Sequence, residues 1–208
     1  MIRLVLATAN RHKVREIEPL LEGTGVELVP VTAVVHGWDV DETGETLAEN
    51  AALKARAAML ATRLPAVADD TGLFVDALDG LPGVRSSRYA GPGCSYADNV
   101  RKLLEAMAGV PPNARAARFR SVVVLVCPDG SERAFEGALE GTIGTEARGS
   151  EGFGYDPVFE LPGGGTLAEL GLDEKNRVSH RARAFASLAE WIRRRGSEPV
   201  CPCDRTEG

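Results

Sequence analysis

The stretch AVADDTGLFVD, residues 66–76, places two adjacent carboxylates after an apolar run that is typical of a buried strand. Charge at such a position is costly unless something compensates it. Three environments would do so for Asp69 and Asp70: a bound cation, the N-terminus of a helix, or a solvated Asx-turn that closes the strand. Because ligands of α/β sheets collect at the carboxyl ends of strands, we predict that PAVADD is a central strand whose end carries the functional site.

Short apolar runs and amphipathic segments alternate along the rest of the chain. IRLVLAT and VELVPV are predicted strands, and the segment between them is a predicted helix with Asn10 as its N-cap. Longer helices are predicted in GETLAENAALKARAAMLATRL, YADNVRKLLEAMAGV and SHRARAFASLAEWIRRR. A β-hairpin is predicted in ARFRSVVVLVCPDGSERAFEGALEGTI, with its turn at PDGS. This order of elements predicts an α/β fold with a mixed sheet.

Composition limits the class of protein. The chain has 208 residues, of which 44% are hydrophobic and 26% charged, as is ordinary for a globular domain. We predict one domain over residues 1–196 and a polar tail over residues 197–208, in which Cys201-Pro202-Cys203 is read as an unstructured end. The net charge of -6 argues against a general nucleic-acid binder. The apolar N-terminus is too short for a signal peptide, and no apolar run spans a membrane, so we expect a cytoplasmic protein.

The first candidate site is ATANRHK, residues 7–13, at the junction of the first strand and helix. Backbone N–H groups at a helix start attract phosphate. Thr8 and Asn10 add polar side chains, and Lys13 adds charge. The glycines of a P-loop are absent, so the alternative is an exposed helix start with a lysine on its surface.

Carboxylates crowd the second candidate site, DVDETGETLAEN, at the entry to the long second helix. The helix dipole accounts for part of this enrichment. The functional interpretation is that Asp41 or Glu42 helps to hold a divalent cation, with Lys54 facing the same site from two turns into the helix. Magnesium suits Asp69 and Asp70 as well, since it takes one or two carboxylates together with water and phosphate oxygens.

The third candidate site combines GFGYDP with EKNRVSHRARA. An aromatic ring in a glycine-rich loop, here Phe153, stacks on a nucleobase in many sites. His180 and Arg181 precede a predicted helix and can donate hydrogen bonds to a carbonyl oxygen. The alternatives are that Phe153 belongs to the core and that His180 and Arg181 lie on a solvated helix face.

Taken together and in this order, five stretches resemble the inosine/xanthosine triphosphate pyrophosphatases. They are LATANRHKVREI, DETGETLAENAALKA, AVADDTGLFVDALDGLPGVRSSRYAG, GFGYDPVF and EKNRVSHRARA, and they cover most of the chain. The resemblance implies an elongated, two-lobed α/β fold around a long mixed β-sheet with flanking helices, a cleft between the lobes, and a homodimer. It also implies hydrolysis of dITP, ITP or XTP to the monophosphate and pyrophosphate, with Mg²⁺ as cofactor.

The resemblance also assigns roles to individual residues. Asp70 matches the catalytic proton acceptor, which also contacts the metal ion together with Asp41 or Glu42. That pair is often Glu-Glu in relatives, so which of Asp41 and Glu42 approaches the metal stays open. The positions that match substrate-binding residues are Thr8, Ala9, Asn10, Arg11, His12, Lys13, Lys54, Thr71, Phe153, Gly154, Tyr155, Asp156, Lys175, His180 and Arg181.

Selectivity would follow from the 6-oxo group of hypoxanthine and xanthine, to which His180 and Arg181 can donate, whereas the amino group of adenine would leave a donor facing a donor. Three other functions compete with this hypothesis. They are a pyrophosphatase for a modified pyrimidine triphosphate, a nucleotide-binding regulatory module without turnover, and a nucleic-acid-binding protein that reads bases through Phe153 and Arg181. The paired carboxylates argue against the second, and the acidic net charge argues against the third.

Overall fold

The computed structural model describes residues 2–196 and 200–201. The strands are β1 (Ile2–Leu6), β2 (Val26–Pro30), β3 (Ala66–Val75), β4 (Pro82–Gly83), β5 (Ala116–Val126), β6 (Glu132–Ile143) and β7 (Phe159–Glu160). The α-helices are α1 (Arg11–Ile17), α2 (Leu47–Thr62), α3 (Tyr96–Ala106), α4 (Leu172–Val178) and α5 (His180–Arg195). The alternation of strands and helices predicted from the sequence is therefore confirmed.

Within the described residues the strands form one seven-stranded sheet in the order β2-β1-β3-β5-β6-β7, with β4 paired to β3. β1 runs parallel to β2 and to β3, whereas β4 runs antiparallel to β3 and β7 antiparallel to β6. A sheet with both kinds of pairing confirms the predicted mixed α/β class. β5 and β6 are neighbours joined by a turn at residues 127–131, as the hairpin prediction required.

The prediction that Asp69 and Asp70 end a strand is wrong. β3 continues for five residues beyond Asp70, to Val75. It is the neighbour that ends: β1 pairs with β3 only as far as Val67, and antiparallel pairing to β4 begins at Leu73. The two aspartates therefore lie in the interval between the parallel and the antiparallel part of β3. The aspartates thus still lie where the parallel pairing with β1 ends, as the site prediction requires, although β3 itself continues past them.

The described chain divides into two compact units. Unit 1 holds residues 2–70, 121–137, 181–196 and 200–201, and unit 2 holds residues 71–120 and 138–180. The chain crosses between the units four times, at Asp70–Thr71, Arg120–Ser121, Gly137–Ala138 and His180–Arg181. The first and the last of these crossings fall on residues that the sequence analysis placed in the site.

The core of unit 1 is formed where the apolar faces of α1 and α5 meet the buried strands. Leu4, Ile17, Val67 and Phe185 are fully buried in it. Its C-terminal part departs from the predicted polar tail, because Val200 and Cys201 are buried and Cys201 forms a disulfide with Cys127. The reading of Cys201 as part of an unstructured end is therefore wrong, while Pro202 and Cys203 lie outside the described residues.

The core of unit 2 combines the aromatic residues Phe119 and Phe159 with the apolar face of α3. Beside it lies the buried guanidinium of Arg115, which donates to the carbonyl oxygens of Met107, Ile143 and Gly144 at 2.6–2.9 Å. Backbone carbonyls thus take the place of a carboxylate partner for this cation, because each N–H needs an acceptor once it is removed from water.

Candidate active site

A group of charged side chains surrounds the paired aspartates in unit 1. We call it the charged cluster, and it consists of Lys13, Glu16, Glu42, Lys54, Asp69, Asp70 and Arg181. Its members come from α1, the loop before α2, α2 itself, β3 and the first turn of α5. Four carboxylates face three cations, so the fully ionised cluster is one charge negative.

Lys54 lies at the centre of the cluster. Its Nζ donates to Oε1 of Glu42 at 2.8 Å, to Oδ1 of Asp70 at 2.8 Å and to the backbone oxygen of Asp69 at 2.9 Å. Burial lowers the pKa of Lys54, but the negative charges of Asp70 and Glu42 outweigh that effect, so the pKa lies above its usual value. The ammonium is therefore charged and holds three anionic or polar oxygens around one point.

Hydrogen bonds at the start of α2 position Glu42 beside Lys54. The side-chain oxygen of Thr46 accepts from the Glu49 N–H at 3.1 Å, and the Glu49 carboxylate accepts from the Thr46 N–H at 3.1 Å, which forms a capping box at the start of α2. Oδ1 of Asn50 accepts from the Gly44 N–H at 2.8 Å and ties the loop before the helix to its first turn. The acidic loop is thereby fixed against α2, with Glu42 directed to Lys54.

Asp69 is compensated by two cations. Its Oδ2 lies 3.1 Å from Nζ of Lys13 and accepts a hydrogen bond from Nε of Arg181 at 3.1 Å. Arg181 in turn donates from Nη1 to Glu16 at 2.5 Å. Burial alone would raise the pKa of Asp69, but Lys13 and Arg181 hold it well below its usual range. Asp69 is thus an ionised anchor for the two cations.

Asp70 has the opposite character. Burial raises the pKa of its carboxyl, and this effect exceeds the opposing influence of Lys54 and Lys13, while Glu42 adds to the increase. The pKa values of the two adjacent carboxyls are therefore shifted in opposite directions. Such a difference separates an electrostatic anchor from a proton acceptor. A buried carboxyl of raised pKa is suited to take a proton from water.

Two carboxylates of the charged cluster are placed to hold a divalent cation. Oxygens of Glu42 and Asp70 both lie 2.8 Å from one atom, Nζ of Lys54, so the two carboxylates converge on a single position where positive charge is favourable. Hard carboxylate oxygens are the donors that Mg²⁺ prefers, and it commonly takes one or two of them from a protein. Within the described residues no three His, Cys, Asp or Glu side chains are grouped to hold a metal by themselves, so further ligands would come from phosphate and water.

Asp41 differs from Glu42 in its surroundings. Asp41 is exposed, whereas Glu42 is partly buried and bonded to Lys54. The shared contact places Glu42 nearer to Asp70 through the lysine. The choice between Asp41 and Glu42 as metal ligand stays a prediction, with the geometry favouring Glu42.

The predicted segment at residues 8–13 begins as expected. Asn10 caps α1 by accepting from the His12 N–H at 2.9 Å, and the Thr8 hydroxyl oxygen accepts from the Asn10 N–H at 3.1 Å. Ala9, Arg11 and His12 are exposed. The structure therefore brings Lys13 into the charged cluster, whereas the substrate contacts of the other residues in this segment stay predictions.

The remaining predicted residues lie in unit 2. We call Tyr96, Phe153, Asp156 and Lys175 the aromatic cluster. Nζ of Lys175 donates to Oδ2 of Asp156 at 2.5 Å and lies 5.2 Å from the ring centroid of Phe153. Oδ2 of Asp156 also accepts from the Phe153 N–H at 2.8 Å. The half-buried Phe153 ring is thus held by a buried ion pair between its own loop and α4.

Close packing and backbone conformation explain the glycines on either side of Phe153. Gly152 has a φ of +73°, and a Cβ built there would lie 2.1 Å from Oδ2 of Asp156 and 3.0 Å from Nζ of Lys175. Only glycine fits this position, since any side chain would displace the ion pair. Gly154 also has a positive φ, of 67°. Both glycines serve the backbone shape that presents Phe153.

Three of the predicted substrate-binding residues are buried or partly buried within unit 2. Tyr155 is buried, and its hydroxyl donates to the Ser86 carbonyl at 2.9 Å, while burial raises its pKa above the usual value. His180 is buried and stacks on Phe119 with the ring centroids 4.5 Å apart. Thr71 is partly buried at the start of unit 2. The base-contacting roles assigned to Tyr155, Thr71 and His180 stay predictions.

Sequence reasoning missed Glu16 and Gly152. It considered Asp69 for cation binding but assigned it no role among the predicted site residues. A signal for Glu16 was present: it follows Lys13 by three residues and so lies on the same face of α1. Gly152 could have been inferred from its position before a loop that must turn sharply. The contact of Tyr96 with Phe153 joins residues 57 positions apart and left no local signal.

Comparison with known proteins agrees with this arrangement of fold and site. The family model for the Ham1 family matches residues 4–191, and the chain belongs to that family. It is 52% identical over 190 residues to a dITP/XTP pyrophosphatase of Symbiobacterium thermophilum, covering 91% of this chain and 94% of the relative. It is 50% identical over 194 residues to a dITP/XTP pyrophosphatase of Methylococcus capsulatus, covering 92% and 96%.

Solved structures show the same fold. A HAM1 protein from Coxiella burnetii superposes with a TM-score of 0.84 at 41% identity, covering 93% of this chain and all of the other. A nucleoside-triphosphatase described as dITP/XTP pyrophosphatase, from Mycobacterium abscessus, superposes with a TM-score of 0.72 at 43% identity, covering 90% and 97%. The family resemblance inferred from five sequence stretches is confirmed.

Proposed function

We propose that this chain is a nucleoside-triphosphate pyrophosphatase that hydrolyses non-standard purine triphosphates, dITP and XTP among them, to the monophosphate and pyrophosphate. The observation that carries the proposal is the convergence of Lys13 and Lys54 on the adjacent carboxylates of Asp69 and Asp70. The names of the relatives support the purine substrates over the modified-pyrimidine alternative.

In the reaction, water attacks the α-phosphorus and the bond from that phosphorus to the bridging oxygen breaks. Asp70 accepts the proton that the attacking water loses, and the pyrophosphate leaves with the bridging oxygen. Lys13 and Lys54 bind the charged phosphate oxygens. Most of the catalysis is then positioning and charge neutralisation by groups that are already in place.

Asp69 acts by holding Lys13 and Arg181 rather than by contacting the reacting atoms. Its lowered pKa favours the ionised carboxylate, which holds the two cations in place. Arg181 contacts Glu16 and Asp69 through its guanidinium, which supports an organising role for it. The hydrogen bonds of His180 and Arg181 to a 6-oxo group remain part of the proposal for base selection.

Mg²⁺ is the proposed cofactor, with Asp70 and Glu42 as its protein ligands and Asp41 as the alternative. The negative cluster and a triphosphate both carry excess negative charge, which supports the need for a divalent cation. When bound, the ion would neutralise phosphate charge and stabilise the leaving pyrophosphate. Lys54, which now bridges the two carboxylates, would then share Asp70 and Glu42 with that ion.

The aromatic cluster of unit 2 is the proposed site of the base, with Phe153 as the stacking residue. Lys175 and Asp156 hold that ring and its loop, as their 2.5 Å contact indicates.

We also propose a cytoplasmic homodimer, which the family resemblance supports. Within the described residues, no helix has the length and apolar character needed to cross a membrane. Light scattering at micromolar concentrations would determine the oligomeric state.

The deciding experiment measures turnover of dITP and XTP against dATP, dGTP and dUTP, with and without Mg²⁺, and identifies the released product. Metal-dependent release of pyrophosphate with a strong preference for dITP and XTP is the expected result. Release of single phosphates would overturn the assignment of the cleaved bond. Equal use of all substrates would overturn base selection, and preference for dUTP would favour the pyrimidine alternative.

A further inference from the structure

Tyr96 is an exposed aromatic residue beside the ring proposed to stack on the base. It is the first residue of α3 and is 41% exposed. Its ring centroid lies 5.6 Å from that of Phe153, with the rings inclined at 44°. This spacing lies within the range of attractive aromatic pairs. The two rings therefore form one continuous apolar surface in unit 2.

Helical periodicity shows that Tyr96 extends the core outward. Val100 and Leu103 follow it at intervals of four and seven residues, which places all three on one face of α3, and Met107 continues that face as the C-cap of the helix. Leu103 and Met107 are fully buried, and Val100 is partly buried against the same core. Tyr96 continues this apolar stripe for one more turn, where it meets Phe153 instead of the core.

The start of α3 is fixed tightly enough to position an aromatic ring. The Ser95 hydroxyl oxygen accepts from the Asp98 N–H at 3.2 Å, and Asp98 accepts from the Ser95 N–H at 2.9 Å. The Asn99 side chain also ties down the preceding loop, accepting from the Ala90 N–H at 2.7 Å and donating to the Ser87 carbonyl at 3.1 Å. The backbone at Tyr96 is therefore preorganised.

Phe153 is held in place by Lys175 as well as by Tyr96. The ammonium of Lys175 lies 5.2 Å from the ring centroid, and Lys175 is itself paired with buried Asp156. Since a cation above an aromatic ring is favourable, this contact restrains the ring. Restrained rings present a stacking surface at little cost in conformational entropy.

We propose that Tyr96 forms part of the stacking surface for the nucleobase together with Phe153, and so determines affinity for the base end of the substrate. This inference rests on the proposed function, since it requires a nucleobase at Phe153. A purine covers more area than a single phenyl ring, so a second ring at the edge adds contact. Stacking is insensitive to the identity of the base, and Tyr96 would raise affinity for all purines while leaving selectivity among them to other groups.

The test uses Tyr96→Ala and compares ligands with and without a base. We expect the KM for dITP and the inhibition constant of dIMP to rise by about 5- to 20-fold, within the range that loss of one stacked aromatic ring produces. The inhibition constant of inorganic tripolyphosphate, which carries no base, stays within twofold of wild type. Turnover at saturating dITP falls little, since the charged cluster is untouched.

Matched variants separate stacking from other effects. Tyr96→Phe keeps the ring and should retain wild-type KM, whereas Tyr96→Leu keeps apolar bulk without a flat ring and should restore affinity only in part. Glu105→Ala removes another exposed side chain from the region of α3 and should change neither constant. Thermal melting checks that each variant is folded.

Three results would overturn the inference. A wild-type KM for dITP and wild-type dIMP affinity in Tyr96→Ala would remove Tyr96 from the base site. A lower KM would show that Tyr96 covers Phe153 and competes with the base. An equal rise for tripolyphosphate would indicate a general structural effect. Failure of the proposed function is distinct, since the wild-type enzyme itself would then release no pyrophosphate from dITP.

Discussion

The charged cluster of unit 1 is assembled from distant parts of the chain, whereas most of the aromatic cluster of unit 2 comes from one loop and the helix after it. Arg181 is separated by 112 residues from Asp69 and by 165 from Glu16. Asp156 is separated by 3 residues from Phe153 and by 19 from Lys175. Only Tyr96 reaches the aromatic cluster from far along the sequence.

This difference has physical consequences. In the charged cluster, Lys54, Asp69 and Arg181 each pair with two partners, so loss of one charge changes the charge balance of the whole group. In the aromatic cluster, one ion pair supports a ring, and the contacts that remain are apolar and more nearly additive. We therefore expect changes in the charged cluster to alter catalysis, stability or both, and changes in the aromatic cluster to alter affinity for the base.

Asp70→Asn is expected to have the largest effect. Loss of the proton acceptor should reduce turnover of dITP by about 10²- to 10⁴-fold, the range typical of general base catalysis, while the amide oxygen can still accept from Lys54. Steady-state kinetics with pyrophosphate detection measure this. Turnover near the wild-type value in a folded variant would exclude Asp70 as the proton acceptor.

The same variant should not lose stability in the absence of metal and substrate. The pKa of Asp70 is raised in the folded protein, so the native state binds its proton more tightly than the unfolded state does. That contribution to stability is complete below the unfolded pKa of 3.8 and is lost as the pH rises through the higher folded pKa. Asparagine resembles the protonated form, and Asp70→Asn should be at least as stable as wild type at pH 7 in urea unfolding.

Asp69→Asn should behave in the opposite way. The pKa of Asp69 is lowered by Lys13 and Arg181, so its ionised form stabilises the native state above the unfolded pKa of 3.8, and this contribution is lost as the pH falls toward the folded pKa. We expect a loss of about 3 kcal/mol at pH 7, as for breaking a buried ion pair. The difference from wild type should narrow in urea unfolding below pH 3.8. Equal stability of Asp69→Asn and Asp70→Asn at pH 7 would contradict the division of roles.

The contrast between these two neighbours shows what sequence alone could supply. The pattern AVADD identified a compensated carboxylate pair, and five ordered stretches identified the family and the mixed α/β fold. Which aspartate is the anchor depends on Lys13 and Arg181, which reach Asp69 across 56 and 112 residues. No local pattern encodes such separations.

The strand boundary and the C-terminal segment were missed for related reasons. Asp69 and Asp70 are polar, and polar residues ordinarily end a buried strand, but here tertiary charges keep them within β3. Val200 and Cys201 lie in a polar segment, and their burial depends on the core of unit 1 and on the disulfide partner Cys127, 74 residues away. In both cases the compensating partner is distant in sequence.

Removing the disulfide should lower the stability of unit 1 without changing the charged cluster. Cys201→Ser opens a link that closes a segment of 74 residues, and we expect a loss of about 2–4 kcal/mol in oxidising buffer. Cys94→Ser, which removes the free thiol in unit 2, is the control and should cost far less. Added reductant should abolish the difference between wild type and Cys201→Ser. The KM for dITP should be unchanged throughout, and a change in it would link the C-terminal segment to the site.

The smallest effects come from the two capping boxes, which allow a matched comparison of the units. Thr46→Ala removes the cap of α2 and loosens the loop that carries Glu42, whereas Ser95→Ala removes the cap of α3 and loosens Tyr96. Each should cost about 1 kcal/mol of stability, as is usual for an N-cap. The two variants therefore start from similar losses in melting temperature.

Their kinetic effects should nevertheless differ, because each helix positions a different cluster. Thr46→Ala should weaken inhibition by tripolyphosphate and by Mg²⁺-bound pyrophosphate, since Glu42 and Lys54 depend on the start of α2. Ser95→Ala should raise the KM for dITP by a few fold and leave tripolyphosphate inhibition unchanged, since Tyr96 packs against Phe153 of the aromatic cluster. If both variants altered both ligands equally, phosphate and base binding would not be divided between the charged and the aromatic cluster. A clean separation would show that one turn of each helix is enough to set the affinity for one end of the nucleotide.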